Sequence, residues 1–334
     1  VLTKLGKTDL SIYPLGFGGI PIQRISFEKA KTVILKAKEL GINFIDTAQG
    51  YSDSEEKIGF AINEDKNYWV LASKSPARDS KEMEKAVTNC LKHFRRDFID
   101  LYQLHLISSI DELQLVLGKN GAMETLLKYK EKGYIKYIGI TGHKPQVLKE
   151  ALDIFPFDTV QAPYNPLETQ SEELLKYASL KGVGTIIMKP FAGGALTSPS
   201  GCIKYILSKD FVDVVIPGME RVEQVEENFR ASLDLKITEE EKMGILQDIH
   251  QLKNNFCRRC DYCQPCPQGI KISTVFILHG YLSRYGLKDW ATSRYQSLPI
   301  PANKCTNCGV CERKCPYELP IRQMLQKSHN DFQK

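Results

Sequence analysis

The sequence predicts an α/β chain, a (β/α)8 TIM barrel followed by a small helical, cysteine-rich domain, on three observations. Strand-like and helix-like segments alternate from residue 27 onward. The strand segments are almost continuously apolar, as parallel strands covered on both faces must be. Eight of the ten cysteines lie beyond residue 254. A length of 334 residues suits one barrel of ~250 residues and a small module. Eight strand–helix units in that length favour a closed barrel over an open doubly wound sheet.

The elements follow in order. Residues 3–12 read as a hairpin placed before the first barrel strand, where it covers the barrel floor. Strands are expected at 15–18, 44–48, 69–73, 99–104, 137–141, 159–162, 185–189 and 212–217. Helices are expected at 27–40, 54–62, 80–94, 122–132, 145–154, 171–181, 202–208 and 222–231. Residues 237–252 read as one further helix, with Thr238 and Glu241 as a capping box. Asn254 and Asn255 then mark the boundary between a barrel, residues 1–253, and a cysteine-rich domain, residues 254–334. Residues 272–285 and 287–295 have the apolar spacing of two short helices between the cysteine runs.

Charge separates the two parts as sharply as cysteine content does. The net charge is +5; residues 1–253 contribute −2 and residues 254–334 contribute +7. No aromatic-interleaved basic stripe accompanies that excess, so a nucleic-acid surface is not expected. A hydrophobic fraction of 42% is that of a chain able to bury a full core. No run of ~18 apolar residues is present to span a membrane. The opening residues VLTKLGKTDL lack a basic-then-apolar signal pattern, and a cytoplasmic protein is expected.

The cysteines fall in two runs. The first is Cys257-x2-Cys260-x2-Cys263-x2-Cys266-Pro267, the second Cys305-x2-Cys308-x2-Cys311-x3-Cys315-Pro316. Three cysteines at steps of three wrap one cubane, and a remote cysteine before proline serves the other cluster in two-cluster ferredoxins. By that analogy Cys257, Cys260, Cys263 and Cys315 hold one [4Fe–4S] cluster, and Cys305, Cys308, Cys311 and Cys266 the other. The first run is one residue short of the pattern, which leaves its pairing open. Structural zinc is the rival reading, but zinc has no use for triplets followed by Cys-Pro. A disulfide scaffold suits a small secreted chain and not this one. The helical insertion resembles the ferredoxin modules of succinate dehydrogenase-type proteins.

Within a barrel, polar residues at the C-terminal ends of strands are the active-site candidates. Four stand out: Asp46 in NFIDTA, Tyr51 five residues on, Lys74 ending VLASK, and His105 ending IDLYQLH. These segments resemble the aldo-keto reductase family, as do GINFIDTAQGYSDSEEKIG, YIGITGH, VQAPYN and VIPGMERVEQVEENF. The cysteine tail resembles an iron–sulfur subgroup of that family. The resemblance implies an NAD(P)-dependent oxidoreductase acting on a small carbonyl or alcohol. A carbonyl receiving hydride builds alkoxide charge that an acid must protonate. Tyr51 can do so if its pKa falls from ~10, which an adjacent ammonium promotes. Lys74 supplies that charge, Asp46 holds Lys74, and His105 orients the carbonyl oxygen.

The family's pattern also predicts cofactor contacts, and several depart from it. The fifth strand should end Ser-Asn around the nicotinamide carboxamide; here it ends Thr141-Gly142-His143. Gln161, for the other side of the carboxamide, is present. Met188 before Lys189 stands where a stacking tyrosine is expected. Gly218 and Gln224 occupy positions that are basic in NADP-binding members, with Arg221 as the nearest cation. Glu227 and Asn228 match the adenine contacts. NADP(H), NAD(H) and a flavin are therefore all candidates, the flavin because it links two-electron hydride chemistry to one-electron clusters. His143 closes a strand and is a candidate contact to cofactor or substrate. Cys90, Cys202, His93, His250 and His329 read as ordinary packing or surface residues.

The leading expectation is an oxygen-sensitive carbonyl reductase or alcohol dehydrogenase with two [4Fe–4S] clusters. The alternatives are a flavin-containing electron-transfer protein with a ferredoxin-like redox partner, and a sensor that keeps the barrel for binding. The clusters are open to catalytic, sensing or structural use. The tail is expected to pack beside the barrel mouth. Substrate choice would rest with residues 106–120 and 192–201, which carry no readable code.

Overall fold

The computed structural model of the chain describes every residue but Lys66 and Lys253. The described residues form two compact units. One is Val1–Pro190 with Pro199–Thr238, the other Phe191–Ser198 with Glu239–Lys334. Lys253, at the boundary expected from the sequence, lies outside the described residues.

The first unit opens with a two-stranded antiparallel hairpin, β1 (Thr3–Lys4) and β2 (Ser11–Ile12). Eight strands follow: β3 (Phe17–Gly18), β4 (Phe44–Asp46), β5 (Val70–Ser75), β6 (Ile99–Leu104), β7 (Ile135–Thr141), β8 (Thr159–Pro163), β9 (Gly184–Met188) and β10 (Val214–Val215). They pair in chain order, each parallel to its neighbour. Parallel bridges from Leu15 to Val215 and from Gly18 to Gly218 join the first strand to the last and close the barrel. Closure leaves the sheet no exposed edge.

The helices α1 (Phe27–Glu39), α2 (Ser54–Ala61), α3 (Ser80–Phe94), α4 (Ile110–Leu117), α5 (Ala122–Glu131), α6 (Pro145–Ile154), α7 (Glu172–Leu180), α8 (Pro199–Leu207) and α9 (Val222–Leu233) complete this unit. Their starts are encoded locally. Ser26, Asp79 and Ser109 each accept the backbone N–H three residues on, and Pro145 occupies the first turn of α6, where its missing N–H costs nothing. The helix α4 was not expected from the sequence, although Ser109 and Glu112 carry a capping signal. Its short apolar stretch lies in what read as a structureless substrate loop.

The hairpin covers the N-terminal ends of the strands. The N–H of Lys7 donates to the Gly182 carbonyl at 2.8 Å, and Gly6 N–H to the Asp213 carboxylate at 3.1 Å. Leu5, Leu10 and Ile12 pack into one buried cluster with Phe44, Leu101 and Ile186. With the floor plugged by apolar side chains, the polar mouth lies at the opposite, C-terminal ends.

The second unit contains α10 (Glu239–Leu252), α11 (Ile272–Ser283), α12 (Lys288–Gln296), α13 (Val310–Lys314) and α14 (Ile321–Phe332). Its own core includes Ile270, Val275, Leu278, Tyr295, Leu325 and Phe332. The Tyr295 and Phe332 rings stack at 4.1 Å between centroids. Asp248 ties α10 to the strap 191–198, accepting the Thr197 N–H at 2.6 Å. Among the described residues no helix is long and apolar enough to cross a membrane.

Candidate active site and cysteine clusters

Three of the four strand-end residues are set by strand register. Asp46 is the last residue of β4, Lys74 lies one residue from the end of β5, and His105 follows β6 directly. Lys74 pairs with Gln103 across β5 and β6. Tyr51 sits in the turn before α2, where Ser52 has a positive φ of 48°. That turn brings the phenol back over the strand ends.

The four side chains meet. Lys74 Nζ donates to Asp46 Oδ1 at 2.5 Å and to the Thr47 carbonyl at 2.8 Å. Both partners are fully enclosed, Asp46 3% and Lys74 1% exposed. The ammonium lies 5.2 Å from the Tyr51 ring centroid. The Tyr51 and His105 rings meet edge-on at 6.1 Å. Burial pulls the Lys74 pKa below the usual lysine range, and Asp46 opposes that pull. Burial, with the charges of Lys74, Arg78 and Lys189, holds His105 well below the ordinary histidine value. His105 is therefore a neutral imidazole near neutral pH.

Two partners of this group, Gln103 and Arg78, were not expected from the sequence. Gln103 and Gln161 each donate Nε2 to Asp46 Oδ2 at 3.0 Å, so three strands converge on one carboxylate. Gln103 had a signal, since a polar residue inside an otherwise apolar buried strand must find a partner. Arg78 is the other. It donates to the carbonyls of His105 at 3.1 Å and Leu106 at 2.9 Å, fixing the turn that carries the imidazole. Leu106 there has a positive φ of 59°.

The expected cofactor residues are distributed around the same strand ends. Gln161 keeps its Oε1 buried with no protein partner, an acceptor that a carboxamide N–H would satisfy. The Thr141 hydroxyl accepts the Leu106 N–H at 2.9 Å. A side chain at Gly142 would stand 2.7 Å from the Ile107 carbonyl oxygen. The close approach of the loop after β6 thus explains why glycine replaces a larger residue. His143 follows, half-buried. Met188 ends β9 and packs against the apolar cluster inside the barrel, and the Lys189 carbonyl accepts from Asn165 Nδ2 at 2.9 Å.

At α9, Gln224 Oε1 accepts the N–H groups of Glu220 and Arg221 at 2.9 and 3.1 Å. Its amide thereby caps the helix. Arg221 is exposed, while Arg24 grips the Glu220 carboxylate through two contacts of 2.7 Å. Gly218 faces Pro21, Asn228 is buried, and Glu227 is exposed.

In the second unit, Cys266, Cys305, Cys308 and Cys311 line one pocket. Cys315 lies within electrostatic reach of Cys260, and Cys263 within reach of Cys257, Cys260 and Cys311. Burial pushes the Cys257 and Cys263 thiols up to about 12 and raises Cys260 and Cys311 as well. Bare thiols so placed stay protonated. Cationic iron is what would make them thiolates, and all-sulfur donors in this number suit iron–sulfur clusters. Cys90 and Cys202 are buried and belong to the barrel unit.

Both parts of the chain are similar to known proteins. The aldo/keto reductase family profile matches residues 14–201, and a 4Fe-4S dicluster domain matches residues 256–320. An uncharacterized oxidoreductase of Bacillus subtilis (strain 168), YqkF, is 27% identical over 308 residues, covering 74% of this chain and 97% of its own. An L-galactose dehydrogenase of Arabidopsis thaliana is 27% identical, covering 74% of this chain and 91% of its own. The holo form of an aldo-keto reductase from Bacillus halodurans superposes with a TM-score of 0.64 at 26% identity, covering 74% of this chain and 95% of that one. The chain belongs to the aldo/keto reductase family, as an oxidoreductase barrel joined to a 4Fe-4S dicluster domain.

Proposed function

We propose that the barrel reduces a small aldehyde or ketone, or oxidises the corresponding alcohol, with Tyr51 as the group that gives or takes the proton. One observation carries this reading: a buried Asp46–Lys74 pair places an ammonium 5.2 Å from the Tyr51 ring. Positive charge beside a phenol favours the phenolate left after proton donation. His105, uncharged and edge-on to Tyr51, is suited to donate a hydrogen bond to the carbonyl oxygen without competing as an acid. Asp46 is a positioning residue, holding Lys74 in place and charged.

A nicotinamide cofactor, when bound, supplies the hydride. Gln161 and Thr141 would meet its carboxamide, with Met188 and Lys189 alongside. Gly218, Arg221, Gln224, Glu227 and Asn228 would face its adenosine end. A relative from Schizosaccharomyces pombe carries NADP(+) in its name. Here, however, Gln224 is used in capping and the nearby cations share Glu220. A 2′-phosphate would find no bidentate arginine waiting, so NAD(H) and NADP(H) are both expected to serve. The eight tail cysteines would hold two [4Fe–4S] clusters, with Cys257, Cys260, Cys263 and Cys315 on one. Cys305, Cys308, Cys311 and Cys266 would hold the other.

The test is isotopic. Protein incubated with nicotinamide cofactor deuterated at C4 and a panel of aldehydes and ketones should yield alcohol carrying deuterium at the former carbonyl carbon. Reduction that proceeds without that deuterium, or no reduction across the panel with either cofactor, would overturn the reading.

A further inference from the structure

The turn that presents His105 is made by a residue unsuited to it. Leu106 has a positive φ of 59°, a left-handed conformation that a bulky side chain keeps only where its surroundings impose it. The donors of the turn are held by two neighbouring strands. The His105 N–H donates to the Ser75 carbonyl at 3.0 Å, and the Ile107 N–H to the Thr141 carbonyl at 2.9 Å. The Leu106 N–H reaches the Thr141 hydroxyl at 2.9 Å.

The acceptors of the turn go to one side chain, the half-buried Arg78 in the loop between β5 and α3. Both terminal nitrogens of its guanidinium donate to the His105 carbonyl at 3.1 Å, and Nη2 donates also to the Leu106 carbonyl at 2.9 Å. Nη1 returns to the Pro76 carbonyl at 3.0 Å. On the far side, Glu112 Oε2 of α4 stands 3.5 Å from Nη2. That same oxygen accepts the N–H and the hydroxyl of Ser108 at 2.9 and 3.0 Å. The base of the arginine is fixed as well, since the Ala122 N–H donates to the Arg78 carbonyl at 3.0 Å and Asp79 caps α3. A planar guanidinium holds two adjacent carbonyls in set directions, which the single ammonium of a lysine does not.

We propose that Arg78 is a positioning residue for His105: its fork holds the strained turn after β6, and with it the place of the imidazole against Tyr51, while Glu112 ties that grip to α4. The groups that face the imidazole are Tyr51 from the turn before α2, Lys74 from β5, Lys189 directly after β9, and Arg78 itself. Burial first, and then the charges of Lys74, Arg78 and Lys189, oppose a proton on the ring. The guanidinium thus also helps keep His105 a neutral donor. The proposal rests on the carbonyl-reducing role of the mouth, but the place of His105 is measurable without any substrate.

The test uses the full chain with isotope-labelled histidine and tyrosine rings, the His105 and Tyr51 signals being assigned by their loss in His105→Asn and Tyr51→Phe. In the unaltered protein the two rings should show a nuclear Overhauser contact, and His105 should titrate well below 6.5. In Arg78→Gln, which removes both fork and charge, the contact should weaken and the midpoint should move up toward 6.5. Arg78→Lys keeps the charge alone, so its midpoint should stay near the unaltered one while the contact weakens as in the glutamine variant. On a verified carbonyl substrate both variants should lose kcat by ~10²-fold with cofactor binding unchanged. Should Arg78→Gln fail to fold, Arg78→Lys still separates grip from charge. A ring contact retained in Arg78→Lys would overturn the proposal. Absence of carbonyl reduction by the unaltered protein would overturn the reading of the mouth, and the ring contact would still decide the role of Arg78.

Discussion

The barrel mouth and the cysteine-rich unit solve the burial of polar groups in opposite ways. At the mouth, the Asp46 carboxylate is compensated by the protein itself, through Lys74, Gln103 and Gln161. In the cysteine-rich unit, burial raises thiols that the protein leaves to be ionised by metal. A self-compensated site can be complete as soon as the barrel closes. A site whose charges come from iron acquires its final energetics only when the iron arrives. The two units should therefore respond differently to the same insults.

Metal removal should separate them most strongly. Protein purified without oxygen should contain ~8 iron and ~8 acid-labile sulfide per chain. Stripping the iron should expose residues 254–334 to proteolysis while the barrel unit stays resistant. Cys263→Ser or Cys311→Ser should each lose about one cluster, and Cys90→Ser none. Two zinc ions and no sulfide would break the comparison at its root.

The mouth should be insensitive to chelation and sensitive to loss of either buried partner. Lys74→Met leaves Asp46 buried with amides alone, and breaking such a pair costs about 3–5 kcal/mol. Chemical denaturation followed by a barrel tryptophan, Trp69, would register that loss. A smaller effect is expected at the floor, where Leu5→Ala removes buried contacts at a cost of about 2–5 kcal/mol depending on how far the site relaxes.

The smallest effect is a pH dependence. His105 has a folded pKa held well below its ordinary 6.5, so below that value the unfolded chain binds a proton the folded chain refuses. Stability should therefore be fully present above pH ~6.5 and decline as pH falls toward the folded value. Replacing His105 with Asn should flatten the acid side of the stability profile. An unchanged slope would mean that the imidazole is freely protonated in the folded protein.

Much of the barrel was legible in the residues. Continuous apolar strands and locally encoded caps placed α3 and α6 at the very bounds read from the sequence, because Asp79 and Pro145 write their own starts. The terminal strand was expected at 212–217 but pairs regularly only at Val214–Val215, since propensity says nothing about where a barrel's last strand meets its first. The helix α4 was missed because eight residues of ordinary composition inside a loop carry little periodic signal. Asp46, Lys74 and His105 were visible as polar residues at the ends of apolar strands, and Tyr51 by its place five residues after Asp46. The use of Gln224 as a cap was not visible, because one amide serves a backbone or a ligand equally well until its neighbours are known. The reach of Arg78 to the turn after β6 was hidden for the same reason: it depends on two segments 27 residues apart in sequence.

The central claim is that Tyr51 moves the proton under the influence of Lys74. The most direct measurement is the steady-state rate of carbonyl reduction by the unaltered protein, Tyr51→Phe and Lys74→Met, at matched iron content and with cofactor binding measured in parallel. Removing the proton donor should lower turnover by ~10²-fold or more while cofactor binding persists, and Lys74→Met should fall with it. Turnover unchanged in both variants on a verified substrate would contradict the account and place the chemistry elsewhere in the barrel.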